Sequence, residues 1–410
     1  MHPFRPEKLH RNHRPFLERS SRSHHSPGPE GHEYTGHHRC LSTLRMERQV
    51  PTSGGGTKGF NGFRKGEMGI YSRMRRVKMR LLKGLIFVFV ALLVSPAWAA
   101  DALLEAAKKE GKVVWYTTLT TEEADLMGKK FHEKYPFIEI DVWRSGSEKM
   151  LLKIEAEAQA KRHNVDVIMI TGAENEILKR KGLLARYLSP HRRFFPEGFK
   201  DKDGYWTDLY INLNVVGYNT RLVQPREIPK TYEDLLAPRW KGKIGMDTKA
   251  YEWFASMLKF MGEKKGMEYM KKLGEQNIVF RTGRTLNAEM VAAGEVEIGV
   301  ALYNQRIEEM KAKGASIDWV GLKPIFAELH PLSVYAYAPH PNAAKLLVDY
   351  LLSMEGQKLI ASFYRIPSRE DVDAIIPHMK RGIEYLVPSL DIVDRYDYYT
   401  KLYRQLLMRK

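Results

Sequence analysis

Three clusters of hydroxyl, glycine and carboxylate side chains recur in the middle of the chain: Thr120-Thr121-Glu122-Glu123, Ser145-Gly146-Ser147-Glu148 and Thr171-Gly172-Ala173-Glu174. Each has the [Ser/Thr]-x-x-Glu spacing of a capping box, in which the hydroxyl accepts from the third helical amide and the Glu answers at the cap's own N–H. Each follows an apolar run, so each is predicted to be a junction where a strand hands over to a helix. Together with Thr118, these hydroxyls and loop amides suit the binding of an anion or a polar solute. The Glu of each box spends a charge on a donor, which predicts that these helix ends are partly closed to a ligand. Further on, Arg281 and Arg284 flank Thr282-Gly283. Guanidinium matches carboxylate or phosphate bidentately, and a solvated loop is the equal alternative for this pair.

Bond-breaking chemistry has little support. There is no Gly-x-Ser-x-Gly elbow and no His-Glu-x-x-His helix. His132, His163, His191, His330, His340 and His378 are scattered without partner spacing. An exported α/β hydrolase stands as the alternative from another functional class, and a structural or adhesion module would need repeats that the chain lacks.

The elements that must position the hydroxyl clusters alternate regularly. Strand-like runs at 113–118, 138–143 and 165–170 are separated by helical stretches at 122–134 and 148–162, after an opening helix at 101–110. That spacing predicts βαβ units and a parallel sheet. Consecutive parallel strands deliver their following helices to one carboxyl edge, where ligands of open α/β sheets bind. A long strand is predicted at 209–219, then helices at 251–261, 265–276 and 286–293, a buried strand at 296–303, and a mainly helical tail from His340.

An apolar run at 85–94 follows Arg73, Arg75, Arg76, Lys78, Arg80 and Lys83 and leads to Ala97-Trp98-Ala99. It is about half the roughly 20 residues a membrane span needs, so it reads as a secretory signal with cleavage near Ala100. The segment 1–67 is expected to be a mis-called or disordered extension, with 68–99 as the signal. Its crowded histidines and its Gly54-to-Gly59 stretch match no functional motif, since Lys58 precedes Gly59 where a phosphate loop needs Gly-Lys-[Ser/Thr]. Of the formal +17 of the whole chain, residues 1–99 carry 18 Lys and Arg against 6 Asp and Glu. Near-neutral balance in the remainder gives no reason to expect a nucleic-acid partner. The single cysteine, Cys40, is upstream too, so the exported part is thiol-free, as suits an oxidising compartment. A soluble periplasmic monomer without a cofactor is expected.

The run from Pro229 to Gly245 (PKTYEDLLAPRWKGKIG), Ala292-Ala293-Gly294-Glu295-Val296-Glu297-Ile298-Gly299, Ala338-Pro339-His340-Pro341-Asn342-Ala343-Ala344-Lys345 and Leu351-Leu352-Ser353-Met354-Glu355-Gly356-Gln357 resemble the type 2 periplasmic solute-binding proteins of ABC importers. The resemblance is to the group that binds ferric ion, thiamine and phosphonates. It implies an α/β fold of two lobes, each a mostly parallel sheet flanked by helices, joined by hinge strands and closing on a solute. Lobe one is expected at 100–210 plus 323–410 and lobe two at 211–322, with a membrane permease as partner. The strand ends of lobe one offer Thr118, Thr120, Ser145, Gly146, Ser147, Thr171 and Gly172 to the cargo. In lobe two the resemblance implies Thr248 and Lys249 in an anion-contacting turn, with Tyr251, Arg284 and Tyr303 nearby. Tyr303 stands where ferric binders carry metal-ligand tyrosines, and phenolate suits a hard ion. The chain departs from the ferric pattern in reading Tyr303-Asn304-Gln305-Arg306 in place of adjacent tyrosines, and Leu119-Thr120 where a His often stands. Glu148 or Glu174 and a second phenolate from Tyr251 are the donors left for a rearranged metal site. The implied cargo is ferric iron, a ferric complex or a small anion, with thiamine, a phosphonate or another organic anion as alternatives.

Overall fold

The computed structural model describes residues 96–408, with side chains from residue 101. The upstream extension and the apolar run at 85–94 lie outside the described residues. No helix among those described is long and apolar enough to cross a membrane.

The first half follows the alternation in the sequence. Helix α1 (Pro96–Glu110) leads to β1 (Lys112–Thr117), α2 (Thr121–Lys134), β2 (Glu139–Arg144), α3 (Ser147–Gln159), β3 (Val167–Met169) and α4 (Gly172–Arg180). β1 pairs in parallel with β2 on one side and β3 on the other. Successive residues of a strand face opposite sides, and β1 shows the consequence. Trp115 packs with Phe131 of α2 and Ala107 of α1, whereas Tyr116 packs with Met150 and Ile154 of α3 and Leu178 of α4. Each fully buried large side chain contributes about 1.5–3 kcal/mol, so both helix layers are held to the sheet.

After β4 (Leu184–Ala185), the chain enters β5 (Thr207–Asn219), the long strand expected near 209–219. A second lobe follows: β6 (Ile244–Asp247), α5 (Tyr251–Met261), α6 (Glu263–Gly274), β7 (Val279–Arg281), α7 (Arg284–Ala293), β8 (Ile298–Tyr303), α8 (Asn304–Ala312) and β9 (Ile317–Val320). Here β6 pairs in parallel with both β7 and β8.

The lobes share one continuous sheet of order β2-β1-β3-β10-β5-β8-β6-β7. Its middle is the antiparallel pair of β5 with β10 (Phe326–Tyr335), in register from Leu332 opposite Thr207 to Phe326 opposite Asn214. β10 pairs with β3 of lobe one and β5 pairs with β8 of lobe two, so these two strands are the crossing. β10 is absent from the sequence reading. Glu328, His330 and Pro331 interrupt its apolar character, and a proline within a run argues against a strand; here it falls at a break in register between Leu329 and Pro331.

The tail adds α9 (Pro341–Leu352), α10 (Met354–Ser362), β11 (Ile366–Pro367) and α11 (Tyr396–Leu407). α9 and α10 pack in lobe one as expected. The end of the chain does not. Ile392, Tyr399, Tyr403 and Leu407 sink into the core built by Trp253, Phe254 and Met257 of α5 and Tyr269 and Met270 of α6. The assignment of everything beyond residue 323 to lobe one is therefore corrected: α11 is part of lobe two. Rings decide it, because Tyr403 makes edge contacts with Tyr251, Phe254 and Phe280.

Candidate functional site

A cavity of ≈ 740 Å³ lies between the carboxyl ends of the two half-sheets, floored by the hinge strands. Thr118, Thr120, Ser145, Gly146, Ser147 and Thr171 line it from lobe one, and Lys249, Tyr251, Arg284 and Tyr303 from lobe two. Ten of the twelve sequence-predicted cargo residues thus meet around one space. Gly172 and Thr248 do not join them. The Thr248 hydroxyl stands behind the wall, paired at 2.9 Å with that of Thr282, which does line the cavity. Arg281 also stays out, exposed and bonded to the Phe280 carbonyl.

The three expected capping boxes part company. Thr120 forms the full box, accepting from the Glu123 N–H while Glu123 accepts from the Thr120 N–H. At α3 the cap is Gly146, which has no side chain to offer, so the box centred on Ser145 is not made. Glu148 instead pairs with Lys249 of lobe two. At α4 Thr171 is the cap but its side chain bonds to the carboxylate of Glu174 and not to a backbone amide. The expectation that all three ends are closed by their own carboxylates is corrected for α3, whose first turn opens on the cavity between Ser145 and Ser147.

Two cations flank that open end. Arg144 lines the cavity, donates through Nε to the Leu119 carbonyl at 3.0 Å and forms no ion pair among the described residues. Lys149 is exposed, lines the cavity and has no ion-pair partner among the described residues. Neither was singled out from the sequence. In a row of charged residues on a helix start, nothing marks which cation will be left unpaired.

Lobe two is organised by Asp247 at the end of β6. Its Oδ1 accepts from the N–H groups of Lys249 and Gly283, both at 3.1 Å, which fixes the turn after β6 against the start of α7. Arg284 is buried, donates to the Ala301 carbonyl, reaches Glu328 at 3.4 Å and stands 3.6 Å from Asp247. It is thus consumed by internal partners and is not free to clamp a ligand. Tyr303 donates to Glu328 at 2.5 Å, with the Arg284 guanidinium 5.0 Å from its ring centre. Burial, then the Glu328 charge, push its phenol well above the ordinary value. To serve as a metal-bound phenolate, Tyr303 would have to give up that proton and its bond to Glu328. Tyr251 accepts from Arg404 at 2.9 Å. Among the described residues no three His, Cys, Asp or Glu side chains are grouped to hold a metal ion.

The floor and roof come from residues the sequence reading passed over. Tyr210 and Asn212 of β5, Glu328 and His330 of β10, and Arg365 face the cavity from below. Arg365 forms a two-point pair with Glu123 at 2.7 and 3.0 Å and lies 4.2 Å from the Tyr210 ring centre. Glu252 of α5 and Glu174 of α4 add carboxyls, both raised chiefly by burial. Tyr396 of α11 closes the roof, donating to Glu174 at 2.9 Å. A signal for the floor was available: along β5 polar Asp208, Tyr210, Asn212 and Asn214 alternate with apolar Leu209, Ile211, Leu213 and Val215. Period-two alternation places the first set on one face.

Known proteins agree with this architecture. Residues 164–395 match the family model of the bacterial extracellular solute-binding proteins. An uncharacterized protein of Haemophilus influenzae is 28% identical over 285 residues, which cover 66% of this chain and 82% of that one. Iron uptake protein A1 of Synechocystis is 26% identical over 182 residues, covering 40% of this chain and 50% of its own length. The structure of the periplasmic binding protein AfuA from Actinobacillus pleuropneumoniae, with exogenous fructose-6-phosphate bound, superposes with a TM-score of 0.64 at 25% identity, over 73% of this chain and 99% of AfuA. Proteins of this family bind solutes and do not transform them, which removes the hydrolase alternative. With its two α/β lobes, its hinge pair and a family match over more than half its length, the chain belongs to the bacterial extracellular solute-binding proteins.

Proposed function

We propose that this chain is the exported substrate-binding component of an ABC importer. It captures a small solute bearing a phosphate or carboxylate group between its lobes and hands it to a membrane permease. The observation that carries this reading is the open end of α3. Backbone N–H groups without a side-chain cap, the hydroxyls of Ser145 and Ser147, and the unpaired cations of Arg144 and Lys149 converge on the cavity. A helix N-terminus favours negative charge by about 0.3–1 kcal/mol through its dipole alone, and charge-assisted hydrogen bonds add to that. Closure of hinged lobes on such a ligand couples binding to a shape that a permease recognises. The fructose-6-phosphate held by AfuA is a ligand of this chemistry. Export to the periplasm is supported by the signal-like run before Ala100 and by the family's extracellular description.

Ferric iron is the second reading. It is supported by the name of the Synechocystis relative and by the gathering of Tyr251, Tyr303 and Tyr396 near Glu174, Glu252 and Glu328. The engagement of the Tyr303 hydroxyl by Glu328 weighs against it. Thermal shift separates the two, since a ligand raises the melting temperature according to its concentration over Kd. Fructose 6-phosphate, citrate, a phosphonate and thiamine phosphate are each titrated, and ferric ion is added separately. Stabilisation by an organic anion without colour is expected, reduced at least tenfold in affinity in Lys149→Ala. A tyrosinate charge-transfer band with iron, and no response to any anion, would reverse the order of the readings.

A further inference from the structure

The lobes meet around the cavity along two edges that are built differently. On one, the start of α3 faces the turn after β6, and the contact is the pair of Glu148 with Lys249. Their side chains are 44% and 45% exposed. An ion pair so open to water holds weakly, because hydration competes with it and two long side chains must be kept still.

On the other edge the start of α4 is sunk into lobe two. Ala173 is fully buried in the cluster of Tyr251, Phe254 and Tyr403, together with Ile392 of a 3₁₀ turn, Leu390–Arg395. Gly172, just before it, offers no side chain, and Leu390 closes in: a Cβ at 172 would stand 3.2 Å from Leu390 Cδ2. Two buried polar bonds cross between the lobes here. Glu252 of α5 accepts from the Ala173 N–H, and Tyr396 of α11 donates to Glu174 at 2.9 Å. Both carboxyls belong to buried residues. The 3₁₀ turn reaches each lobe with an acid as well, Asp394 to Arg180 of α4 and Asp391 to Lys259 of α5.

We infer that the tail segment from Leu390 to Tyr396 clasps α4 to lobe two, so that the lobes move as a one-sided swing. The α4 edge is a pivot beside the β5–β10 pair, and the α3 edge is the one that opens. Parting the lobes at α4 would bring Ala173 and Ile392 into water and strip two buried carboxyls of their donors. Parting them at α3 breaks one hydrated pair. Solute therefore enters and leaves past α3 and Lys249, whatever its chemistry. A hinge made of β5 and β10 alone would instead let both edges widen together. The inference needs only the hinged two-lobe fold and is independent of the cargo proposed above.

Electron–electron double resonance on the full chain, with no solute added, reads the two edges separately. Cys40, the single cysteine, is removed as Cys40→Ser. Spin labels are attached through Leu152→Cys with Arg281→Cys for the α3 edge, and through Lys181→Cys with Phe260→Cys for the α4 edge; all four positions are exposed. The α3-edge distance distribution is expected to be at least about twice as broad as the α4-edge one. Gly172→Val, which pushes Leu390 away, and Tyr396→Phe, which removes the donor to Glu174, are each expected to broaden the α4-edge distribution. Lys249→Ala is expected to broaden the α3 edge alone. Equal widths at the two edges of the parent would overturn the inference without recourse to any clasp variant, and so would an α4-edge distribution that neither Gly172→Val nor Tyr396→Phe moves.

Discussion

Replacing Arg365 by methionine is expected to be among the most damaging single changes in lobe one. Its guanidinium meets both oxygens of Glu123, and the two side chains are 7% and 10% exposed. Removing one partner of a buried pair leaves an uncompensated charge, at a cost of about 3–5 kcal/mol. The loss of the contact over Tyr210, 4.2 Å from its centre, adds up to about 2 kcal/mol where the pair is desolvated. Glu123 is also the carboxylate of the only one of the three expected capping boxes that forms, so its disturbance reaches the Thr120 N–H and the start of α2. The single variant is therefore expected to lose about 3–5 kcal/mol in urea denaturation, with the methionine stem recovering part of the packing. Glu123→Gln leaves Arg365 alone and is expected to cost a similar amount. The double variant removes both charges, so it should be less destabilised than the sum of the singles by at least about 2 kcal/mol. Strict additivity, or a loss below about 1 kcal/mol for Arg365→Met, would refute the claim that this pair is fully desolvated and mutually dependent.

Other measurements bear on neighbouring parts of the argument. Thr120→Ala breaks a made capping box and is expected to cost about 0.5–2 kcal/mol; Ser145→Ala, at a junction where no side-chain cap forms, should leave stability nearly unchanged while weakening anion binding. Tyr396→Phe removes the donor to Glu174 that ties α11 to lobe one, for an expected loss of about 1–3 kcal/mol read by chemical denaturation. His330 is neutral when folded down to about 3, against an ordinary 6.5, so the unfolded state takes up its proton first as pH falls. Its contribution is complete above 6.5 and is lost as pH falls toward 3, amounting to roughly 4–5 kcal/mol at the foot of that window; a stability profile that stays flat there in the parent, or unchanged in His330→Gln, contradicts it. Glu252 acts in the opposite sense, since its raised folded value makes stability fall as pH climbs above the usual carboxylate range. Glu252→Gln should gain stability relative to the parent as pH rises above the usual carboxylate range, read by urea denaturation.

The fold was readable wherever local pattern and tertiary use agree. β1 and β2 are β-branched and aromatic, their helices begin at hydroxyl residues, and the carboxyl-edge rule then names a wall without any knowledge of contacts. The reading failed where one feature serves two levels at once. β10 hides because the polar Glu328 and His330 and the proline between its halves exist for the cavity and the crossing, not for strand propensity. The tail was misassigned because amphipathic pattern tells that α11 has a buried face but not which lobe supplies the other half; only the edge contacts of Tyr403 with Tyr251 and Phe254 decide that. The same limit explains the site. Thr120-Thr121-Glu122-Glu123 and Ser145-Gly146-Ser147-Glu148 share a spacing, yet the first becomes a closed cap and the second an uncapped helix end lining the cavity. At α3 the chain enters the helix through Gly146, and Lys249 of the opposite lobe takes the carboxylate. Since that lysine belongs to the opposite lobe, the openness of α3 is a property of the two lobes together. A local motif has no access to it.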